Sequence, residues 1–192
     1  MAILKIARMG HPVLHRRADP VEDPSAPEVR AIVRDMIETL DDAGGIGLAA
    51  PQVHIPKRIV IFFIPRERQI DGEGEGEKSG VELTIMINPE VEPIDEGITS
   101  DWEACLSVPN MMGAVPRFSA IRYTWQDLAG STQTCEADGF HARAVQHECD
   151  HLDGILYPMR MEDLSLFGFA EEVNRNKDLL ARPNLRLEAE NT

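Results

Sequence analysis

Two histidines stand four residues apart in Gln146-His-Glu-Cys-Asp-His-Leu-Asp-Gly154, with a glutamate directly after the first. On a helix that spacing projects His147 and His151 from one face, one turn apart, so both can reach a single metal ion. Glu148, beside the first ligand, is then placed to contact a water on that ion and to act as general base. The stretch therefore predicts a helix from Phe140 to about Leu152, with Gly154 placed to stop it.

Two histidines leave such a site incomplete, because a catalytic zinc-type centre takes three protein ligands and keeps one position for water. No histidine follows Gly154, and the acidic residues there belong to an ordinary-looking helix, so a cysteine is the better third ligand. Cys149 lies two residues from each histidine, roughly 200° around the helix, and reads as a small core residue facing away. Cys135, on an expected strand just ahead, is within reach but has no special context. Cys105 has one, in Asp101-Trp-Glu-Ala-Cys-Leu-Ser107.

The rest of the chain is compatible with one catalytic domain. A length of 192 residues is enough for one sizeable core, and 43 % hydrophobic with 27 % charged residues is ordinary for a globular protein. The formal charge of −14 argues against phosphate-backbone binding, so no direct nucleic-acid partner is expected. Much of that acidity is local: residues 71–103 hold eleven acidic side chains and one basic. Within them, Asp71–Gly80 is a Gly/Glu run expected to form a mobile surface loop. No stretch reads as an export signal or a membrane span, which predicts a cytoplasmic protein. Three cysteines, an odd number, argue against a disulfide framework.

The pattern of elements is mixed. Ser25-Ala-Pro-Glu28 is a capping-box sequence, after which Val29, Ile32, Val33, Met36, Ile37 and Leu40 form one apolar stripe that Gly44 and Gly45 end. Arg58–Ile64 and Leu83–Ile87 read as strands, the first stopping at Pro65 and the second at Asn88-Pro89. Ala114–Pro116 is a short strand, and Ala120–Trp125 with Thr132–Glu136 form a hairpin. A third helix is expected from Glu162 to Asn176, and the tail from 177 to 192 is expected to fray. The expectation is one α+β domain over residues 1–176, with mostly antiparallel strands packed around a central metal-binding helix.

Three separated segments resemble the signature motifs of the peptide deformylases: Gly45-Ile-Gly-Leu-Ala-Ala-Pro-Gln52, Glu103-Ala-Cys-Leu-Ser107 and Gln146-His-Glu-Cys-Asp-His-Leu152. The resemblance runs from about Ile6 to Tyr157. It implies Cys105, His147 and His151 as metal ligands and Glu148 as the catalytic acid/base. It further implies oxyanion donors at the Gln52 amide and the Leu106 backbone N–H, with Gly47 letting a substrate backbone pass close. The implied reaction is removal of the N-formyl group from the formyl-methionine of nascent chains, releasing formate, with transient ribosome contact. The implied cofactor is one divalent ion, Fe2+ in the family, although thiolate plus imidazole also suits zinc, nickel or cobalt. A methionine side chain needs an apolar pocket beside the metal, for which Ile46, Phe140 and Ala144 are candidate walls and the Arg143 stem a candidate rim. Ala104 stands where most of the family has glycine, a departure that matters if the position needs φ > 0 or close approach.

Two other functions compete on the same residues. A His-Glu-x-x-His metalloprotease would take a carboxylate or imidazole as third ligand, and a non-catalytic metal-stabilised binding domain would close its site with Cys135 as a fourth. Gly45-Ile-Gly47 is not a dinucleotide-binding turn, because a helix precedes it and Pro51 soon follows.

Overall fold

The computed structural model describes residues 2–66 and 80–180. The acidic run at 71–79 and residues 181–192 lie outside that range. Among the described residues there are three α-helices: α1 (Pro27–Ala43), α2 (Gly139–Leu152) and α3 (Ala170–Leu180). The first five strands are β1 (Gly47–Ala49), β2 (Ile59–Ile64), β3 (Val81–Pro93), β4 (Ile98–Cys105) and β5 (Val108–Phe118). They are followed by β6 (Ala120–Gln126), β7 (Thr132–Asp138) and β8 (Phe167–Phe169). A five-stranded sheet runs in the order β1-β2-β3-β6-β7 and a three-stranded one in the order β4-β5-β8, with every pair antiparallel.

Helix α2 lies between the sheets and packs against β1, β2, β3, β6 and β7 of the larger and β5 of the smaller. Ala142, Val145, Cys149 and Leu152 enter a core with Val60, Phe62 and Ile121. Helix α1 covers the other side of β1 and β2, burying Val29, Val33, Met36 and Leu40 with Leu48, Ile59 and Ile61. At about 1.5–3 kcal/mol for each large aliphatic side chain removed from water, these faces supply most of the local driving force.

Several elements depart from the sequence expectation. The Ser25 capping box does not form: Ala26 is the N-cap without a side-chain bond, and Ser25 instead donates its N–H and hydroxyl to the Asp23 carboxylate. The helix does end as expected, on Gly44 at φ 64. Strand β3 continues through Asn88-Pro89 rather than stopping there. Asn88 takes φ 52, its amide exchanges hydrogen bonds with the Val21 backbone, and pairing with β6 resumes at Glu90 after a register shift. The third helix begins at Ala170, not Glu162, because Asp163 caps a short 3-10 turn and Gly168 pairs with Met112 across β8 and β5. Residues 177–180, expected to be tail, complete α3.

An amino-terminal arm crosses the front of the molecule. Leu4 N–H donates to Thr39 Oγ1 at 2.9 Å, Ala7 N–H to the Gln52 carbonyl at 2.7 Å and Met9 N–H to the Ser107 carbonyl at 2.7 Å.

Candidate active site

Helix α2 and strand β4 bring the motif residues together. His147 and His151 face β4 from successive turns, and Cys105 ends that strand. One ligand atom from each of the three lies within 4.8 Å of the others, and all three residues are buried. His147 Nδ1 is 2.7 Å from Glu103 Oε2, which leaves Nε2 for an ion. His151 Nε2 is 3.3 Å from Cys105 Sγ. Among the described residues, His151 Nδ1 and Glu148 Oε2 are buried without a hydrogen-bond partner. A thiolate, two imidazoles and buried polar atoms left unpaired fit one divalent cation, since such atoms are rarely left without water or an ion.

The electrostatics favour the ligating form of the thiol. Burial opposes the Cys105 thiolate, but the charge of His151 and the hydrogen bond of His147 hold the thiol well below its ordinary value. Burial alone would raise the Glu103 carboxyl, yet hydrogen bonds from His147 and Arg117 keep it well below the usual range. Glu148 goes the other way. Its burial raises the carboxyl pKa, with the two histidines opposing only in part.

Glu103 belongs to a buried ionic cluster that was not anticipated. Arg117, from β5, donates Nε and a terminal nitrogen to its two oxygens at 2.9 and 3.0 Å, and gives its remaining nitrogen to Asp150 at 2.5 Å. The available signal was alternation: on a strand Glu103 shares the face of Cys105, so a charge there had to be buried and paired.

Gln52 lies in a 3-10 turn after β1 and is 1 % exposed. Its Oε1 accepts from Ala49 N–H at 2.8 Å, which turns Nε2 toward Ser107 Oγ at 3.1 Å and Cys105 Sγ at 3.5 Å. Ser107, also missed, thus orients the amide. The backbone of Leu106 lies between Cys105 and Ser107. Gly47 faces the Glu148 carboxyl: a Cβ built there would stand 2.3 Å from Oε1. The Glu148 carboxyl occupies the space that a side chain at this position would need.

Ile46, Phe140, Arg143 and Ala144 all line one cavity of about 650 Å3 that also reaches Cys105, His147 and Glu148. Trp102 and Met112 line it too and carried no sequence signal. The Arg143 head does not form a rim, being buried and turned onto Glu103. Ala104 sits in extended β4 opposite Met112 and outside the left-handed region, so its methyl group is accommodated. Cys149 packs into the core behind α2, where burial pushes its thiol up. Cys135 lies on β7 with its thiol donating to the Glu136 carbonyl, outside the ligand group.

Comparison with known proteins agrees with this geometry. Residues 3–178 match the family described as polypeptide deformylase. The chain is 46 % identical over 169 residues to peptide deformylase 2 of Ralstonia nicotianae, covering 88 % of this chain and 93 % of that protein. The crystal structure of peptide deformylase from Ehrlichia chaffeensis superposes with a TM-score of 0.77 at 28 % identity, over 96 % of this chain and 99 % of that one. A Met-Ala-Ser-bound class I type b peptide deformylase from Acinetobacter baumannii gives 0.74 at 32 % identity, over 83 % of this chain and 99 % of the other. Its motifs, fold and ligand group together make this chain a member of the polypeptide deformylase family.

Proposed function

We propose that this protein hydrolyses the N-formyl group from the formyl-methionine of nascent polypeptides, releasing formate. The observation that carries the reading is the convergence of Cys105, His147 and His151, with Cys105, His147 and the buried Glu148 lining one cavity. The Met-Ala-Ser peptide bound by the Acinetobacter baumannii relative has the sequence of a deformylated product, which supports the same substrate class here.

Cys105, His147 and His151 would hold one divalent ion, which when bound would supply Lewis acidity enough to bring the pKa of water to about 7. Glu148 accepts a proton from the attacking water and returns it to the amine nitrogen as the C–N bond breaks, ending in its starting state. Gln52 Nε2 and the Leu106 N–H donate to the oxyanion that develops on the formyl group. Ile46, Phe140 and Ala144 take up the methionine side chain. Iron(II) is the metal we assign, with zinc, nickel or cobalt as replacements of suitable chemistry. No helix among the described residues is long and apolar enough to cross a membrane. A cytoplasmic location with transient ribosome contact and no direct nucleic-acid binding fits a substrate that emerges during synthesis and a net charge of −14.

The test is formate release from formyl-Met-Ala-Ser by anaerobically purified protein, with metal analysis of the same sample. Glu148→Ala should lower kcat by about 10²–10⁴-fold, and full activity in that variant would overturn the mechanism.

A further inference from the structure

The three ligands come from two elements, two imidazoles from α2 and a thiolate from β4, so their convergence depends on how helix and strand are held together. Arg143 lies on α2 one turn before His147 and is 6 % exposed. Its guanidinium donates to Glu103 Oε1 at 2.8 Å and to the carbonyls of Thr99 at 2.6 Å and Val115 at 2.7 Å, with a longer 3.4 Å contact to the Asp101 carbonyl. Thr99, Asp101 and Glu103 belong to β4, and Val115 to β5. The Glu103 carboxylate therefore bridges two residues of one helix face, Arg143 at one oxygen and His147 at the other. Arg117 also binds Glu103, but it approaches from β5 and reaches α2 only through Asp150. Arg143 thus spans directly from the ligand helix to the backbone of the ligand strand.

We infer that Arg143 is a positioning residue: it holds β4 against α2 so that Cys105 meets His147 and His151 in advance of the ion. This rests on the metal-binding reading of the three ligands and not on the identity of the substrate. A planar head with several donors reaches the carboxylate and the carbonyls together, which a lysine ammonium on its single point of charge does not. Groups that orient ligands in this way commonly change metal affinity by about 10–100-fold.

The experiment is titration of metal-free protein with Co2+, reading both affinity and the thiolate-to-cobalt charge-transfer absorption, for wild type, Arg143→Met and Arg143→Lys. Far-ultraviolet circular dichroism establishes folding of each metal-free protein. The expected result is a folded Arg143→Met with affinity weaker by at least about tenfold and a diminished thiolate band, while Arg143→Lys recovers part of both. Wild-type affinity and band intensity in a folded Arg143→Met would overturn the inference. If that variant fails to fold, Arg143→Lys decides: weakened cobalt binding in a native fold supports the role, and wild-type binding overturns it. Loss of fold in Arg143→Lys as well would also overturn it, since the residue would then serve the fold at large. If wild-type protein binds Co2+ yet releases no formate from formyl-Met-Ala-Ser, the proposed reaction fails while the positioning role stands on affinity and spectrum.

Discussion

A methyl group at Gly47 would take space that the Glu148 side chain fills. Its position would fall 2.3 Å from Glu148 Oε1 and 2.7 Å from the carboxyl carbon, so Gly47→Ala must displace the carboxyl that we propose carries the proton. We predict at least a tenfold fall in kcat, since a misplacement of about 1 Å can cost ~10²-fold. Bound metal should be retained, as formate release and metal analysis on one sample would establish. Gln52→Ala acts differently. It removes an amide aimed at the Cys105 sulfur, with an expected loss in kcat of about 10²–10³-fold if it is an oxyanion donor. A rise in KM with kcat unchanged would assign Gln52 to binding instead. These residues were legible only through the resemblance of Gly45–Gln52 to a family motif. Ser107 and Arg117 were not, because their importance lies in what they touch across the fold, 55 residues from Gln52 and 14 from Glu103 respectively.

Among the elements, β4 was the hardest to foresee although it carries a ligand. Ile98-Thr-Ser-Asp-Trp-Glu-Ala-Cys105 has its first four residues exposed and a charge at a buried position, so no apolar alternation marks it. Helix α2 was visible because its histidine spacing and its terminating glycine agree. Helix α3 was placed too early because a glycine tolerable in a helix instead pairs in a strand. The ionic cluster linking β4, β5 and α2 should be sensitive to single deletions. Arg117→Met leaves Glu103 and Asp150 short of a partner, with an expected cost of about 3–5 kcal/mol in urea unfolding. Helix α2 also carries His141, whose Nε2 lies 3.0 Å from the Tyr123 hydroxyl. Burial lowers its pKa, the Asp138 charge opposing in part. Its folded value lies below its unfolded one, so its contribution is complete above about pH 6.5 and is lost as pH falls from there toward the folded value. The fall in stability between pH 7 and pH 5 should therefore be smaller in His141→Phe than in wild type.

For the molecule as a whole, the metal should be a folding ligand as well as a chemical one. An ion that binds only the native state adds about 4 kcal/mol at a thousandfold excess over Kd. A chelator should thus lower the thermal midpoint of wild-type protein, and Cys105→Ala should abolish most of that difference. Gln52, Cys105 and His147 are far apart in sequence, so the site exists only when the chain has closed on itself. The amino-terminal arm carries this further. Ala7 and Met9 dock on the carbonyls of Gln52 and Ser107, so the arm is fully seated only once the chain has been made as far as Ser107, 98 residues beyond Met9. A bulky fusion at that end, or removal of the first ten residues, would unlatch both site loops while leaving the two sheets paired, so catalysis would be lost before the fold.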